Sequence, residues 1–329
     1  MAAGVSRRPG LAPIEPRIYQ IRILITGAAG HLGQAVSKAF LEDGASVRAL
    51  FHRSRPRNLA PGVEVAWGDV TRPDSLEGIL DGIDAVVHLA GIVPPLTEQR
   101  PDLAARVNVG GTAALMDAVT KKRQRIPFVY ASSTAVFGPC PNVDRRLGPD
   151  HPTNPSSVYA RTKLQAEELL RESGIDHVIL RLTSILYTSF SLAEARTFMV
   201  SIPLRNRVEI CHPADMAVAV VNAVERFDTV EGQTLLIAGG PDLQMHFEDV
   251  LSAVLGVFGL PLPPREKFAT EPYPLHWYDT SRSQALLAYQ SRSLDDYARD
   301  LASGFPAPLV RAMRGFIGPA LGGLIVRLL

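Results

Sequence analysis

Cysteine is nearly absent from this chain of 329 residues, which contains only Cys140 and Cys211. The two lie far apart in the sequence and form no spacing typical of metal ligands. This argues against a disulfide framework or a structural zinc site and is typical of proteins from reducing compartments. We therefore predict a cytoplasmic protein that binds no metal ion.

The chain also lacks an excess of charge of either sign and any long hydrophobic run. It has 34 basic and 33 acidic residues, for a net charge of +1, so no overall field favours nucleic acid as a partner. No apolar run reaches the roughly eighteen residues of a membrane span. Residues 1–20 have no apolar segment typical of a signal peptide, and we expect a flexible N-terminal extension there.

The apolar residues, 46% of the chain, follow a pattern of buried strands alternating with amphipathic helices. Strands are predicted at 21–25, 46–51, 63–67, 84–89, 128–131 and 178–182, with the longer helices at 101–121 and 156–172. Such alternation is typical of an α/β, doubly wound parallel sheet, the Rossmann arrangement. Ligands are then expected at the carboxyl ends of the strands.

Beyond Leu182 the pattern becomes shorter and less regular, as expected for a smaller C-terminal substrate lobe. Helices are predicted at 215–227 and 247–258, and a strand at 234–238. We expect a Rossmann domain over 21–185 and a substrate lobe over 186–308, of which 212–238 returns to the first domain. An apolar tail follows at 309–329.

Three glycines spaced three residues apart follow the first predicted strand: Gly27, Gly30 and Gly33, within IRILITGAAGHLG at 21–33. Strand, glycine turn and helix in this order form a dinucleotide-binding fingerprint. The glycines allow a tight turn and close approach of the backbone to a pyrophosphate, which the helix N-terminus attracts. We predict a cofactor site here.

Tyr159 and Lys163 are four residues apart on a predicted helix and therefore share one face. Lowering a tyrosine pKa by about three units costs about 4 kcal/mol. An ammonium about 4 Å away supplies a similar energy at an effective dielectric of about 20. This spacing is common on helices and indicates an acid/base site only together with other residues.

Three hydroxyl residues, Ser132, Ser133 and Thr134, end the predicted fifth strand. A hydroxyl at the carboxyl end of a sheet strand can hydrogen-bond the substrate oxygen near Tyr159. The alternative is that these side chains cap a turn.

The sequence resembles the extended short-chain dehydrogenases/reductases, the NAD-dependent epimerase/dehydratase family. The resemblance rests on six motifs in consistent order: TGAAGHLG at 26–33, GDV at 68–70, HLAG at 88–91, NVGGT at 108–112, SSTAVFG at 132–138 and YARTK at 159–163.

The resemblance implies that Tyr159 is the catalytic acid/base, that Lys163 is its partner and that Ser133 orients the substrate. It also implies that Asp69 contacts the adenine, while Asn108 is either a cofactor contact or purely structural. The full set of predicted cofactor contacts is Gly27, Ala29, Gly30, His31, Leu32, Gly33, Arg53, Asp69, Val70, Leu89, Ala90, Gly91, Asn108, Tyr159 and Lys163.

Three other polar residues receive structural interpretations. His88 lies in an apolar strand and is interpreted as a satisfied core histidine. His212 is expected to cap the helix that begins near Asp215, and Asp215 is interpreted as an N-cap rather than as a catalytic acid.

The segment after the second strand, LFHRSRPR at 50–57, contains no acidic residue to bind the ribose hydroxyls. It contains Arg53, Arg55 and Arg57 instead, and arginine suits a 2′-phosphate. We predict NADP as the cofactor, with NAD as the alternative. Solvated loop arginines would produce the same pattern.

The chain departs from nucleotide-sugar enzymes of the family after its sixth strand, because LRLTSILYTSF at 180–190 lacks their asparagine and Gly-Pro turn. We predict a reductase or dehydrogenase acting on a small or apolar alcohol or ketone. A sugar epimerase or dehydratase that retains its cofactor, and a non-catalytic scaffold or redox sensor, are the alternatives. Six apolar residues that follow either line the substrate pocket or belong to the ordinary core: Ile185, Leu186, Tyr187, Phe190, Phe198 and Met199.

The tail at 309–329 is apolar and cationic, and its glycines and Pro319 weaken any helix. We expect it to pack on the substrate lobe or a second subunit, with shallow membrane attachment as the alternative. A homodimer would suit the family, whose members commonly pair through the helices after the fourth and fifth strands.

Overall fold

The computed structural model describes residues 21–56, 59–141, 144–185 and 199–317. The predicted N-terminal extension and residues 318–329 of the tail lie outside these ranges. Arg57 and the candidate lining residues Leu186, Tyr187, Phe190 and Phe198 do so as well.

Ten strands are formed by the described residues. They are β1 (Arg22–Thr26), β2 (Ser46–Phe51), β3 (Glu64–Trp67), β4 (Ala85–His88), β5 (Phe128–Ser133), β6 (His177–Leu182), β7 (Ser184–Ile185), β8 (Arg207–Cys211), β9 (Thr234–Ile237) and β10 (Gln244–His246).

Seven of these strands form one parallel sheet in the order β3-β2-β1-β4-β5-β6-β9. The sheet grows in one direction from β1 to β3 and in the other from β4 to β9. The switch between β1 and β4 is therefore where a ligand is expected to bind. The predicted doubly wound α/β fold is confirmed.

The helices of the described residues are α1 (His31–Glu42), α2 (Leu96–Gln99), α3 (Pro101–Ala104), α4 (Gly111–Thr120), α5 (Val158–Glu172), α6 (Pro213–Glu225), α7 (Phe227–Val230), α8 (Phe247–Gly256), α9 (Ser281–Leu287), α10 (Leu294–Ser303) and α11 (Ala307–Ala312).

Helices cover both faces of the large sheet. Since the side chains of a strand alternate between the two faces, each strand contributes residues to two separate cores. In β1, Ile23 and Ile25 join the core under α1 and α6. Leu24, between them, joins the core under α4 and α5. This explains why the predicted strands are apolar throughout.

The predicted continuous helix at 101–121 is wrong in detail, because the backbone widens into a π-helical turn over Ala105–Gly110. Such a turn accommodates an extra residue. Asn108 in this turn is buried and faces Ile92 and Thr162. The irregularity therefore places a polar side chain inside the fold.

A second sheet, which the sequence pattern did not predict, has the order β10-β8-β7. Strands β10 and β7 both pair with β8, β10 in the antiparallel and β7 in the parallel direction. Strands β7 and β10 are too short to show a clear hydrophobic period. The predicted division into domains at 185/186 stays a prediction, although β9 pairs with β6 and α6 packs on α1.

Candidate active site

The glycine turn between β1 and α1 is closely packed on the loop after β4. Gly27 has a φ of +71°, and a Cβ added there would lie 2.6 Å from the Ala90 nitrogen. A Cβ on Gly33 would lie 2.3 Å from the Gly27 carbonyl oxygen. Only glycine therefore fits at either position.

The N-terminus of α1 is capped by Gly30 without a side-chain hydrogen bond, and its first turn holds no acidic residue. Such a helix end, with its positive dipole and backbone N–H groups, suits a phosphate. Together with the close packing at Gly27 and Gly33, this arrangement suits the diphosphate of a dinucleotide. That the turn binds one stays a prediction.

A buried hydrogen-bond chain runs behind this turn through His88. The Thr112 hydroxyl donates to the Asn108 carbonyl, 2.7 Å away, so it accepts from His88 Nε2, 2.9 Å away. His88 Nδ1 then accepts from the Thr26 hydroxyl at 2.6 Å. We assign the tautomer from this network.

Burial lowers the pKa of His88 to about 3, and the charge of Lys163 acts in the same direction. The ring is therefore neutral at physiological pH. The interpretation of His88 as a satisfied core histidine is confirmed.

Ser133, Tyr159 and Lys163 meet at the carboxyl edge of the sheet. Strand β5 extends two residues farther than predicted and ends at Ser133. Tyr159 lies in the first turn of α5, and Lys163 lies one turn later. Ser133 is close enough to hydrogen-bond the Tyr159 phenol, and its hydroxyl also accepts from the Ala135 N–H at 3.2 Å. The hydroxyl therefore caps the turn, as the predicted alternative has it, and lies beside Tyr159, while its role in orienting a substrate stays a prediction.

The Lys163 ammonium is buried and donates to the Ala131 carbonyl at 2.6 Å. It lies 4.9 Å from the centre of the Tyr130 ring, a distance typical of a cation–π contact. Burial lowers the pKa of Lys163 to about 8, against the opposing charge of Glu167.

Burial raises the pKa of Tyr159, and the hydrogen bond with Ser133 only partly opposes the shift. The expectation that Lys163 lowers this pKa is therefore wrong for the protein by itself.

Asn108 connects the loop after β4 to α5. Its carboxamide accepts from the Ile92 N–H at 2.8 Å and donates to the Ile92 carbonyl and the Thr162 hydroxyl. A Cβ on Gly91 would lie 3.1 Å from Asn108 Oδ1 and 3.6 Å from Lys163 Nζ. Gly91, Asn108 and Lys163 are thus neighbours, and the side chain of Asn108 has a structural role.

The loop that follows β2 contacts Asp69, the predicted adenine contact. Asp69 accepts from the N–H and hydroxyl of Thr71 and pairs with His52 at 3.1 Å. Burial opposes ionisation of Asp69, but the hydrogen bonds from Thr71, together with the nearby His52 and Arg72, outweigh burial and lower the pKa of the carboxyl. Arg53, which follows His52, is exposed. The pairing of His52 was missed, because no motif marks it.

His212 accepts from the Ala214 N–H at 3.2 Å and caps α6, as predicted. The interpretation of Asp215 as an N-cap is wrong, because Asp215 lies inside the first turn. Its buried carboxylate accepts hydrogen bonds from Ser291 and Arg292 instead. It thereby anchors the segment before α10.

Two described residues of the proposed lining have separate surroundings. Ile185 lies in β7 next to the large-sheet core, whereas Met199 packs against the core of the small sheet. The structure therefore does not bring these two together in one described cavity wall.

The sequence profile of the NAD-dependent epimerase/dehydratase family matches residues 23–238. The chain belongs to this family. The match spans the glycine turn, the Ser133 loop and the helix that carries Tyr159 and Lys163.

Two curated relatives are named for different activities. The chain is 32% identical over 183 residues to a 3β-hydroxysteroid dehydrogenase/Δ5→4-isomerase of Mycobacterium tuberculosis, covering 53% of this chain and 48% of the relative. It is 31% identical over 179 residues to a UDP-glucose 4-epimerase of Azospirillum brasilense, covering 53% and 50%. The chain thus spans about half the length of these relatives.

A solved structure of a short-chain dehydrogenase/reductase superfamily protein from Agrobacterium tumefaciens, with bound NAD, has the same fold. Its TM-score is 0.74 at 24% identity, and the match covers 89% of this chain and 99% of that one.

Proposed function

We propose that this chain is an NAD(P)-dependent oxidoreductase that interconverts a small or apolar alcohol and its ketone. The observation that carries the proposal is the approach of Ser133 to the Tyr159 phenol, one helical turn from the buried ammonium of Lys163. These groups share the carboxyl edge of the sheet with the glycine turn.

In this proposal Tyr159 donates its phenol proton to the substrate oxygen during reduction and takes it back during oxidation. The hydroxyl of Ser133 holds that oxygen in place, and Lys163 fixes α5 against β5 through the Ala131 carbonyl. A bound nicotinamide supplies or accepts the hydride. The glycine turn and the N-terminus of α1 would hold its diphosphate.

The raised pKa of Tyr159 suits the acid role, since a protonated phenol is what a ketone reduction consumes. Oxidation of an alcohol requires the phenolate, so we expect it to be favoured at higher pH.

We propose NADP rather than NAD as the cofactor. Strand β2 ends at Phe51, so His52 and Arg53 occupy the loop that follows, and no described residue from 51 to 56 is acidic. A guanidinium there suits a 2′-phosphate. Replacing Arg53 by alanine should raise the Kd of NADPH, measured by fluorescence titration, while leaving that of NADH unchanged.

The alternative is a sugar epimerase or dehydratase that retains its cofactor. The Azospirillum relative favours it, because its identity to this chain nearly equals that of the hydroxysteroid dehydrogenase. The same three side chains would then serve an oxidation followed by a reduction.

Nicotinamide absorbance at 340 nm distinguishes the two functions. Net oxidation of NADPH with alicyclic or steroidal ketones supports the reductase. Stoichiometric cofactor that co-purifies, with turnover of UDP-glucose and no net absorbance change, supports the epimerase. Absence of both activities in protein that binds NADPH would overturn the proposed chemistry and favour a scaffold.

We propose that the tail packs on the protein, because Arg314 Nε donates to the Val257 carbonyl at 2.6 Å and Val310 is buried. Shallow membrane contact is the alternative. Phe305 and Leu309 before and within α11 are 39% and 46% exposed, and the tail beyond them is apolar with Arg327. Among the described residues no helix is long and apolar enough to cross a bilayer, so the contact would be shallow. Sedimentation with anionic vesicles, lost on deleting residues 308–329, tests this alternative.

A homodimer is proposed from family resemblance alone. Sedimentation velocity of the full chain would test it, and a monomer at all concentrations would overturn it.

A further inference from the structure

The first turn of α5 is held by a carboxylate from a distant part of the chain. Glu98 on α2 accepts the Val158 N–H at 3.0 Å with Oε2 and the Tyr159 N–H at 3.1 Å with Oε1. These two N–H groups belong to the helix start, where no intrahelical acceptor exists. Ser157, the N-cap residue, accepts the Ala160 N–H at 3.1 Å. Glu98 therefore completes the cap.

The carboxylate is charged when it makes these contacts. Burial opposes its ionisation, but the hydrogen bonds from the Val158 and Tyr159 N–H groups and the Thr97 hydroxyl, together with the charge of Arg161, outweigh burial and lower the pKa of Glu98. A negative charge at a helix N-terminus also interacts favourably with the helix dipole. The cap is therefore intact at neutral pH and weakens only in acid.

Glu98 also ties Tyr159 to a segment with an apolar surface. It follows the turn after β4, where Val93 and Leu96 are 56% and 40% exposed. Next to it, Thr97 is completely buried, which fixes the position of α2. This segment begins at Ile92, which Asn108 holds in place.

We propose that Glu98 is a positioning residue for Tyr159, acting through the tyrosine backbone to keep the phenol beside Ser133. The inference rests on the proposed function of Tyr159. It adds a residue outside the six sequence motifs, 61 positions away from the tyrosine along the chain. A change in the position of α2 would thereby be transmitted to Tyr159.

Hydrogen–deuterium exchange of the full chain tests the clamp without a substrate. In Glu98→Ala, we expect the amides of Val158 and Tyr159 to exchange about tenfold faster, the fold-change that corresponds to a lost helix-capping contact. Glu98→Gln retains one acceptor oxygen and should recover protection of at least one of these amides. It also serves as the second variant if the alanine variant does not fold.

The pKa of the Tyr159 phenol is measured by spectroscopic titration, as the difference from Tyr159→Phe. A simple loss of stability in Glu98→Ala would leave this pKa unchanged. Release of Tyr159 from its buried position removes the desolvation that raises its pKa, and this effect is larger than the accompanying loss of the hydrogen bond with Ser133, which lowers the pKa. We expect the phenol of Glu98→Ala to titrate closer to pH 10, the usual value for tyrosine.

Asp249→Ala is the matched control, because Asp249 accepts the His246 N–H at 3.1 Å and caps α8 in another region. It should reduce stability without changing exchange at 158–159 or the Tyr159 titration. Unchanged exchange and titration in folded Glu98→Ala would overturn the inference. If instead Tyr159→Phe retains full turnover, the proposed function fails, while the clamp itself is still judged by exchange.

Discussion

Glu167 in the large-sheet region and Glu209 in the small sheet are both completely buried, but their pKa values shift in opposite directions. Glu167, on α5, accepts hydrogen bonds from the guanidinium groups of Arg181 and Arg171 and from Ser132. Burial opposes its ionisation, but the hydrogen bond and charge of Arg181, together with the hydrogen bonds from Ser132 and Arg171, outweigh burial and lower the pKa. The helix that carries Tyr159 is thus anchored by a buried ion pair.

Glu209 accepts hydrogen bonds from the N–H groups of Gly240 and Tyr278 and from the carboxamide of Gln244, all neutral donors. Arg146 contacts Gln244 rather than the carboxylate. Burial raises the pKa of Glu209 to about 7, against the opposing hydrogen bonds. For these two completely buried carboxylates, hydrogen bonds from neutral donors do not compensate for desolvation, whereas contact with a guanidinium group does.

The largest expected effect concerns the phenols of the two regions. Tyr159→Phe should lower kcat by about 10²–10⁴-fold, the range for loss of a general acid/base. Tyr273→Phe, which removes a phenol that packs against the small-sheet core, should leave kcat unchanged. Steady-state assays with NADPH and a ketone substrate measure kcat for both variants. An equal loss of kcat in the two would show that the active site has been assigned to the wrong region.

The second prediction concerns the ion pair on α5. Glu167→Ala leaves the buried guanidinium of Arg181 without its carboxylate and should lower the free energy of unfolding by about 3–5 kcal/mol. Glu168→Ala changes the next residue, which is exposed, and should change it by less than about 0.5 kcal/mol. Urea denaturation compares the two, and similar stabilities would contradict the proposed anchoring.

The third prediction concerns pH. Burial raises the pKa of Glu209 in the folded protein to about 7, from 4.5 in the unfolded chain. Its contribution to the free energy of unfolding is therefore fully present below pH 4.5 and is lost as pH rises through 7. The decline should be about 3 kcal/mol. Urea midpoints at pH 5 and 8 measure it, and Glu209→Gln should remove this part of the pH dependence. If the urea midpoint changes with pH equally in wild type and variant, Glu209 is excluded as the source of the pH dependence.

The smallest expected effect compares two glycines with positive φ. Gly27 has a φ of +71° and lies against Ala90, whereas Gly44 has a φ of +89° with nothing within 4 Å of an added Cβ. Gly44→Ala should cost only the backbone strain of about 1 kcal/mol. Gly27→Ala must also displace the Ala90 loop and should weaken NADPH binding about tenfold or more. Equal NADPH affinities would show that the turn does not hold the cofactor.

Most of the large sheet could be predicted from the sequence, because its strands are continuous apolar runs between glycine turns and amphipathic helices. The small sheet could not, since β7 has two residues and β10 has three. The π-helical turn at Ala105–Gly110 was missed for a related reason: the helical periodicity on either side continues through it.

The candidate site was predicted where its residues belong to local motifs. Ser133, Tyr159 and Lys163 were identified in this way, and the structure places them at one sheet edge, while their roles stay predictions. Glu98 was missed because nothing near it in the sequence marks its contact with Tyr159. Asp215 was misinterpreted for the same reason, since its partner Ser291 lies 76 residues farther along the chain.

The sequence by itself determined the fold class, the glycine turn and the order of the motifs, because hydrophobic period and backbone freedom are properties of neighbouring residues. Only the tertiary structure decided which groups are charged and which helix ends are capped. Those properties depend on desolvation and on partners from distant segments, as the opposite pKa shifts of Glu167 and Glu209 show.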